Sequence, residues 1–188
     1  MRMEAVSAGK ENMKNKGPTV IIINGAGGVG KDTVCDVISK NYQTFVYSSI
    51  TPIKRIAHHI GWKGEKTDKD RKMLSDLKDI CTEYNDLPFK YMAEKLMDTR
   101  FYRGVESVIF HIREPREIEK FKQHVLSQGY VCKTLLIRSQ RAQQSYGNHA
   151  DDDVENYPYD MVYQNDGTLE NLDKDFMDFW KKEMYGEG

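Results

Sequence analysis

Residues 25–33 read Gly-Ala-Gly-Gly-Val-Gly-Lys-Asp-Thr and follow directly on the run Thr19-Val-Ile-Ile-Ile-Asn24. Four consecutive β-branched residues bounded by polar ones predict a strand buried on both faces. The glycines then demand a tight turn in which successive backbone N–H groups point inward without Cβ clashes. Gly25, Gly30 and Lys31 satisfy the spacing G-x-x-x-x-G-K, with Gly27, Gly28 and Val29 inside the turn, so the segment reads as a phosphate-binding loop. A helix is expected to start near Lys31 and to carry Val34, Val37 and Ile38 on its inner face. Its N-terminal N–H groups and dipole would add to the pull on an anion.

One position departs from the usual loop pattern. A hydroxyl residue normally follows the lysine and helps to hold magnesium, whereas this chain has Asp32, and the hydroxyl comes one place later at Thr33. The change puts a full negative charge beside the expected metal position.

The chain has 188 residues, enough for one domain with an insertion, and a net charge of -1. That charge argues against nucleic-acid binding driven by bulk electrostatics. No stretch approaches the ~18 apolar residues of a membrane span, and the N-terminus lacks an apolar signal core. A cytoplasmic location without membrane partners is therefore expected. Cys35, Cys81 and Cys132 are far apart and read as small core residues in a reducing compartment. Residues 1–17 are polar and aperiodic, and read as a disordered extension before a single domain over 18–188.

Strand and helix signals alternate beyond the loop. Strands are expected at 44–48, 105–112, 130–137 and 159–164. A helix after the second strand would be capped by Ser49 or Thr51, with Pro52 in its first turn. Residues 67–84 carry Met73, Leu74, Leu77, Ile80, Cys81 and Tyr84 at helical spacing. After Asp86-Leu-Pro88 a further helix follows, so about 62–104 form a paired-helix insertion. Helices are also expected at 115–128, closed by Gly129, and after the turn Asn165-Asp-Gly167. The polar segment from about 138 to 158 exceeds the ordinary length of a connection and reads as a lid. The fold class is thus α/β, with a five-stranded parallel sheet covered by helices on both faces. In open sheets of this kind ligands bind at the carboxyl ends of the strands. There the sequence places Lys31, Asp32, Ser48, Ser49, Arg113, Arg138 and Arg141.

These residues resemble the P-loop nucleoside and nucleotide kinases, most of all the phage-type deoxynucleoside monophosphate kinases, with dephospho-coenzyme A kinases as more distant relatives. The likeness spans roughly residues 18–182. It rests on GAGGVGKDT, on Ser49-Ile-Thr-Pro-Ile-Lys54, on Arg113-Glu-Pro-Arg-Glu117 (R-x-P-x-E) and on Asn165-Asp-Gly-Thr-Leu-Glu170. In the phage-type pattern an aspartate stands two residues before the arginine, and here His111 does. The resemblance implies the P-loop NTPase fold with a helical acceptor insertion and a lid, and an ATP- and Mg2+-dependent kinase acting on a small phosphorylated acceptor, a (deoxy)nucleoside monophosphate.

Within that frame Lys31 bridges the β and γ phosphates, and the loop N–H groups from Gly27 to Lys31 cradle the β phosphate. Thr33 contacts the α phosphate, and Asn165 lies near the adenine. Asp32 binds the metal, with Glu114 as another acidic candidate. Arg113 and Arg71 meet the acceptor, while Arg138 and Arg141 close from the lid. Two other classes remain open on the residues: a regulatory ATPase that moves a partner protein, and a nucleotide-binding protein without catalysis. The oligomeric state is not encoded in any motif.

Overall fold

A computed structural model describes residues 17–141 and 154–186. Within them, β1 (Thr19–Asn24), β2 (Thr44–Ser48), β3 (Ser107–His111), β4 (Cys132–Arg138) and β5 (Met161–Gln164) form one sheet in the order β2-β3-β1-β4-β5. Every pairing is parallel. The helices are α1 (Lys31–Asn41), α2 (Thr51–His59), α3 (Asp68–Asn85), α4 (Leu87–Asp98), α5 (Pro115–Ser127) and α6 (Leu169–Tyr185).

The unbroken apolar run of β1 is explained by its central position, with β3 on one side and β4 on the other. Its side chains alternate between two cores. Ile21 and Ile23 join Ile109, Leu135 and Ile137 beneath Val34, Val37 and Ile38 of α1 and Phe176 and Trp180 of α6. Val20 and Ile22 join Val108 and Phe110 beneath Tyr91, Met92 and Leu96 of α4 and Ile118, Phe121 and Val125 of α5. Each large side chain so buried contributes about 1.5–3 kcal/mol. The chain leaves β1 for β2 on one side and later crosses from β3 to β4 on the other. That reversal opens a crevice beyond the carboxyl end of β1, where the glycine loop lies.

The expected five-stranded parallel sheet, helices on both faces and a paired-helix insertion are all present. Several local expectations are corrected. Neither Ser49 nor Thr51 caps α2: Ile50 occupies the cap position without a side-chain hydrogen bond. Ser49 is buried, and its N–H continues the β2–β3 pairing by donating to the His111 carbonyl at 3.1 Å, so the strand's pairing ends one residue before the cap position. Strands β3, β4 and β5 begin about two residues later than their apolar runs suggest.

The stripe on α3 is the largest discrepancy. Ile80 and Tyr84 are 62% and 86% exposed, and the helix's buried residue is Lys78. Asp86, expected to break the helix, does so in the left-handed region at φ 60°. Of the expected N-terminal extension only Gly17 lies within the described residues. Residues 142–153, the middle of the expected lid, lie outside them.

Candidate functional site at the carboxyl edge of the sheet

The loop between β1 and α1 has the backbone that its glycines predict. Gly25, Gly28 and Gly30 have φ of 150°, 80° and 91°, values that side-chain-bearing residues rarely adopt. A Cβ on Gly25 would lie 2.5 Å from the Ile137 carbonyl oxygen, and one on Gly30 would run into the Asn165 amide. The Lys31 ammonium folds back over the loop, donating to the carbonyls of Gly25 at 2.5 Å and Ala26 at 2.7 Å. Left-handed glycines, a helix N-terminus at Gly30 and an ammonium at the mouth fit a polyphosphate anion. Thr33 is half-buried in the first turn of α1 and Asp32 is exposed there. Among the described residues no three His, Cys, Asp or Glu side chains gather as a metal cluster.

Asn24 ties this loop to the rest of the edge. Its Oδ1 accepts from the Gly25 N–H at 2.8 Å. Its Nδ2 donates to the Arg113 carbonyl at 2.8 Å and to the Tyr159 hydroxyl at 2.7 Å. Tyr159 in turn donates to the Val154 carbonyl at 2.9 Å, and burial pushes its phenol up to about 12. One side chain thus fixes the base of the loop, the turn after β3 and the segment entering β5. Neither Asn24 nor Tyr159 stands out in the sequence, although a polar residue closing an apolar strand is a usable signal.

His111, at the end of β3, points its Nε2 at the Cys35 Sγ of α1, 3.4 Å away. Burial drives the imidazole down to about 4, against the opposing pull of Asp32. Burial, followed by the charges of Asp32 and Asp36, pushes the Cys35 thiol up to about 12. At neutral pH both groups are uncharged. His111 is thus neutral and committed to packing.

Arg113 and Glu114 follow β3. The carboxylate of Glu114 is ion-paired with Lys78 of α3. Arg71 lies seven residues before Lys78, two helical turns along the same face of α3. Lys78 is a functional candidate that the sequence reading overlooked. Its only signal was a charge interrupting an otherwise apolar stripe.

On the other side of the loop, Arg138 grips Glu155 in a two-pronged pair through Nε and Nη2. Arg141 donates to the Asp166 carbonyl at 2.5 Å. The Asp166 carboxylate accepts from the Gln140 N–H at 2.7 Å and from the Gln164 amide at 2.7 Å, contacts that hold it below the usual carboxylate range. Asn165 donates through Nδ2 to the Val29 carbonyl at 2.9 Å, and its N–H to the Arg138 carbonyl at 2.7 Å. The Asn-Asp-Gly turn is thereby bound to both the glycine loop and the end of β4. The structure brings together Lys31, Asp32, Thr33, Arg113 and Asn165 on one edge. Arg71 stands on the insertion, and Arg138 and Arg141 stand at the lid's start with protein partners.

No protein-family model matches this chain, and no curated protein matches it. Solved structures do resemble it. A proposed kinase from Chloroflexus aurantiacus aligns over 93% of this chain and 100% of its own, with a TM-score of 0.56 and 12% identity. The tunicamycin resistance protein of Deinococcus radiodurans aligns over 87% of this chain and 95% of its own, with a TM-score of 0.53 and 14% identity. At such identities the likeness concerns the fold. Together with the sheet order and the glycine loop it gives the chain the P-loop NTPase fold. No helix among the described residues is long and apolar enough to cross a membrane.

Proposed function

We propose that the protein is an ATP-dependent kinase that phosphorylates a small nucleotide-like acceptor, a (deoxy)nucleoside monophosphate. The observation that carries this reading is the double use of Asn24. The same side chain anchors the Gly25 N–H of the loop and the Arg113 carbonyl, so an anion-binding loop and an arginine from the neighbouring strand share one scaffold. A switch ATPase needs an acidic group at the end of that strand to orient water, and His111 is neutral and packed on Cys35.

ATP at the loop would supply the phosphoryl group, with Mg2+ offsetting the charge of its phosphates. The chain's own residues do the remaining work, which in phosphoryl transfer is alignment and charge neutralisation. Lys31 exchanges its carbonyl partners for phosphate oxygens. Asp32 holds the metal from the first turn of α1, and Thr33 contacts the inner phosphate. Arg113 binds the acceptor's phosphate, and Arg71 approaches it from the insertion. Arg138 and Arg141 close over the transferring group once Arg138 releases Glu155, and closure excludes water. Asn165 borders the base of the donor.

The test is a panel of nucleoside monophosphates, dephospho-coenzyme A and small sugars incubated with ATP and magnesium. Acceptor-dependent ADP formation is expected with a nucleoside monophosphate. Hydrolysis of ATP at the same rate without any acceptor would overturn the reading in favour of a regulatory ATPase, and ATP binding without turnover in favour of a non-catalytic protein.

A further inference from the structure

We infer that the Lys78–Glu114 ion pair is a positioning tie that sets helix α3 over the Arg113 turn, and so controls how the acceptor is held and not the donor. Its activity readout rests on the kinase reading above; its structural readout does not. Lys78 is 8% exposed and is the buried residue of an 18-residue helix. Around it Leu74, Leu77 and Cys81 are half-buried, so an apolar side chain would suit the same place. The Lys78 side chain is shielded while that of Glu114 is 41% exposed, and a partly buried ion pair is seldom more stabilising than well-packed apolar residues of similar volume. It does fix direction and distance, which apolar contact leaves loose.

The position of Glu114 shows what is being fixed. Glu114 adjoins Arg113 in the chain and is the N-cap residue of α5, so its backbone cannot shift without moving Arg113. The Arg113 carbonyl is held by Asn24, which holds the loop at Gly25. The loop end of this chain of contacts is also held by the Ile137 carbonyl against Gly25 and by Asn165 on Val29, so loss of the Lys78 tie frees α3 and the Arg113 turn and leaves the loop in place. Arg71 lies two turns earlier on the face of α3 that carries Lys78. Its reach toward an acceptor anion depends on how α3 is set.

The experiment compares the full-length protein with Lys78→Met, Glu114→Gln and the exchanged pair Lys78→Glu with Glu114→Lys. Hydrogen exchange over residues 68–85 is expected to quicken about tenfold in each single variant while exchange in α1 stays unchanged. With ATP, magnesium and the best monophosphate of the panel, the acceptor KM should rise about tenfold and the ATP KM stay within about twofold. The exchanged pair should recover both properties. Wild-type exchange in Lys78→Met, or a loss shared equally by the two KM values, would overturn the inference. If the wild type phosphorylates no acceptor, the kinase reading fails, and the exchange rates still decide for or against the tie.

Discussion

The phosphate loop and helix α3 both connect to the Arg113–Glu114 turn but are held in place by different means. The loop has tertiary partners on several sides: the Ile137 carbonyl lies against Gly25, Asn24 binds its first N–H, and Asn165 binds Val29. Helix α3 packs against α2 and α4 and adds polar ties within itself. Thr67 and Asp70 close a reciprocal capping box, with Asp70 accepting from the Thr67 N–H at 3.0 Å. Lys72 pairs with Asp76 one turn on, at 2.8 Å. A described ion pair, Lys78 with Glu114, ties it to the turn after β3. The contrast suits phosphoryl transfer, in which one substrate is gripped by a fixed cradle and the other is brought in by a separate element.

The contrast can be broken first at the loop. Lys31→Ala should lower ATP-dependent turnover on the order of 10³-fold, about 4 kcal/mol, with unchanged circular dichroism. Turnover kept at the wild-type level would remove the donor half of the account. Next, Arg113→Ala should lower acceptor kcat/KM on the order of 10²-fold and leave ATP affinity within about twofold; equal losses on both substrates would show that the arginine serves the donor.

Stability should separate the two regions as well. Gly25→Ala forces a Cβ against the Ile137 carbonyl at φ 150° and should cost about 2 kcal/mol in denaturant unfolding. Leu77→Ala, on the half-buried face of α3, should cost about 1 kcal/mol or less. A reversal of that order would mean that α3 is the better anchored element.

A further effect concerns pH. His111 is held near 4 in the folded protein by burial, against an ordinary value near 6.5 when unfolded. Between those values the unfolded chain binds the extra proton, so stability rises with pH across that window and falls on acidification through it. Denaturation followed from pH 7 to pH 4 should show this limb, and His111→Gln should flatten it.

How much of this was legible in the sequence depended on whether the cause was local. The loop, the start of α1 at Lys31 and the central place of β1 follow from adjacent residues: glycines at fixed offsets and an apolar run without alternation. The insertion's two helices were equally plain from spacing. Periodicity, however, reports which face of a helix is apolar, and not whether anything packs against it. Tyr84 and Ile80 therefore read as core and are exposed. Lys78 was overlooked, because its partner Glu114 lies 36 residues away. Asn24 was missed for the same reason, its two amide partners being 89 and 135 residues distant. Ser49 shows that a residue suited to capping can fall one place short, since its N–H still pairs with the His111 carbonyl at the end of the strand.

The central claim, that the cradle at β1 donates a phosphoryl group to an acceptor held from α3 and Arg113, is tested most directly by transfer of label. The wild-type protein is incubated with magnesium and ATP radiolabelled at the γ phosphate, in the presence of a panel of nucleoside monophosphates, with Lys31→Ala as the blank. The account predicts label in at least one nucleoside diphosphate, absent from the blank. Label found only in inorganic phosphate, or still only in ATP, would contradict it.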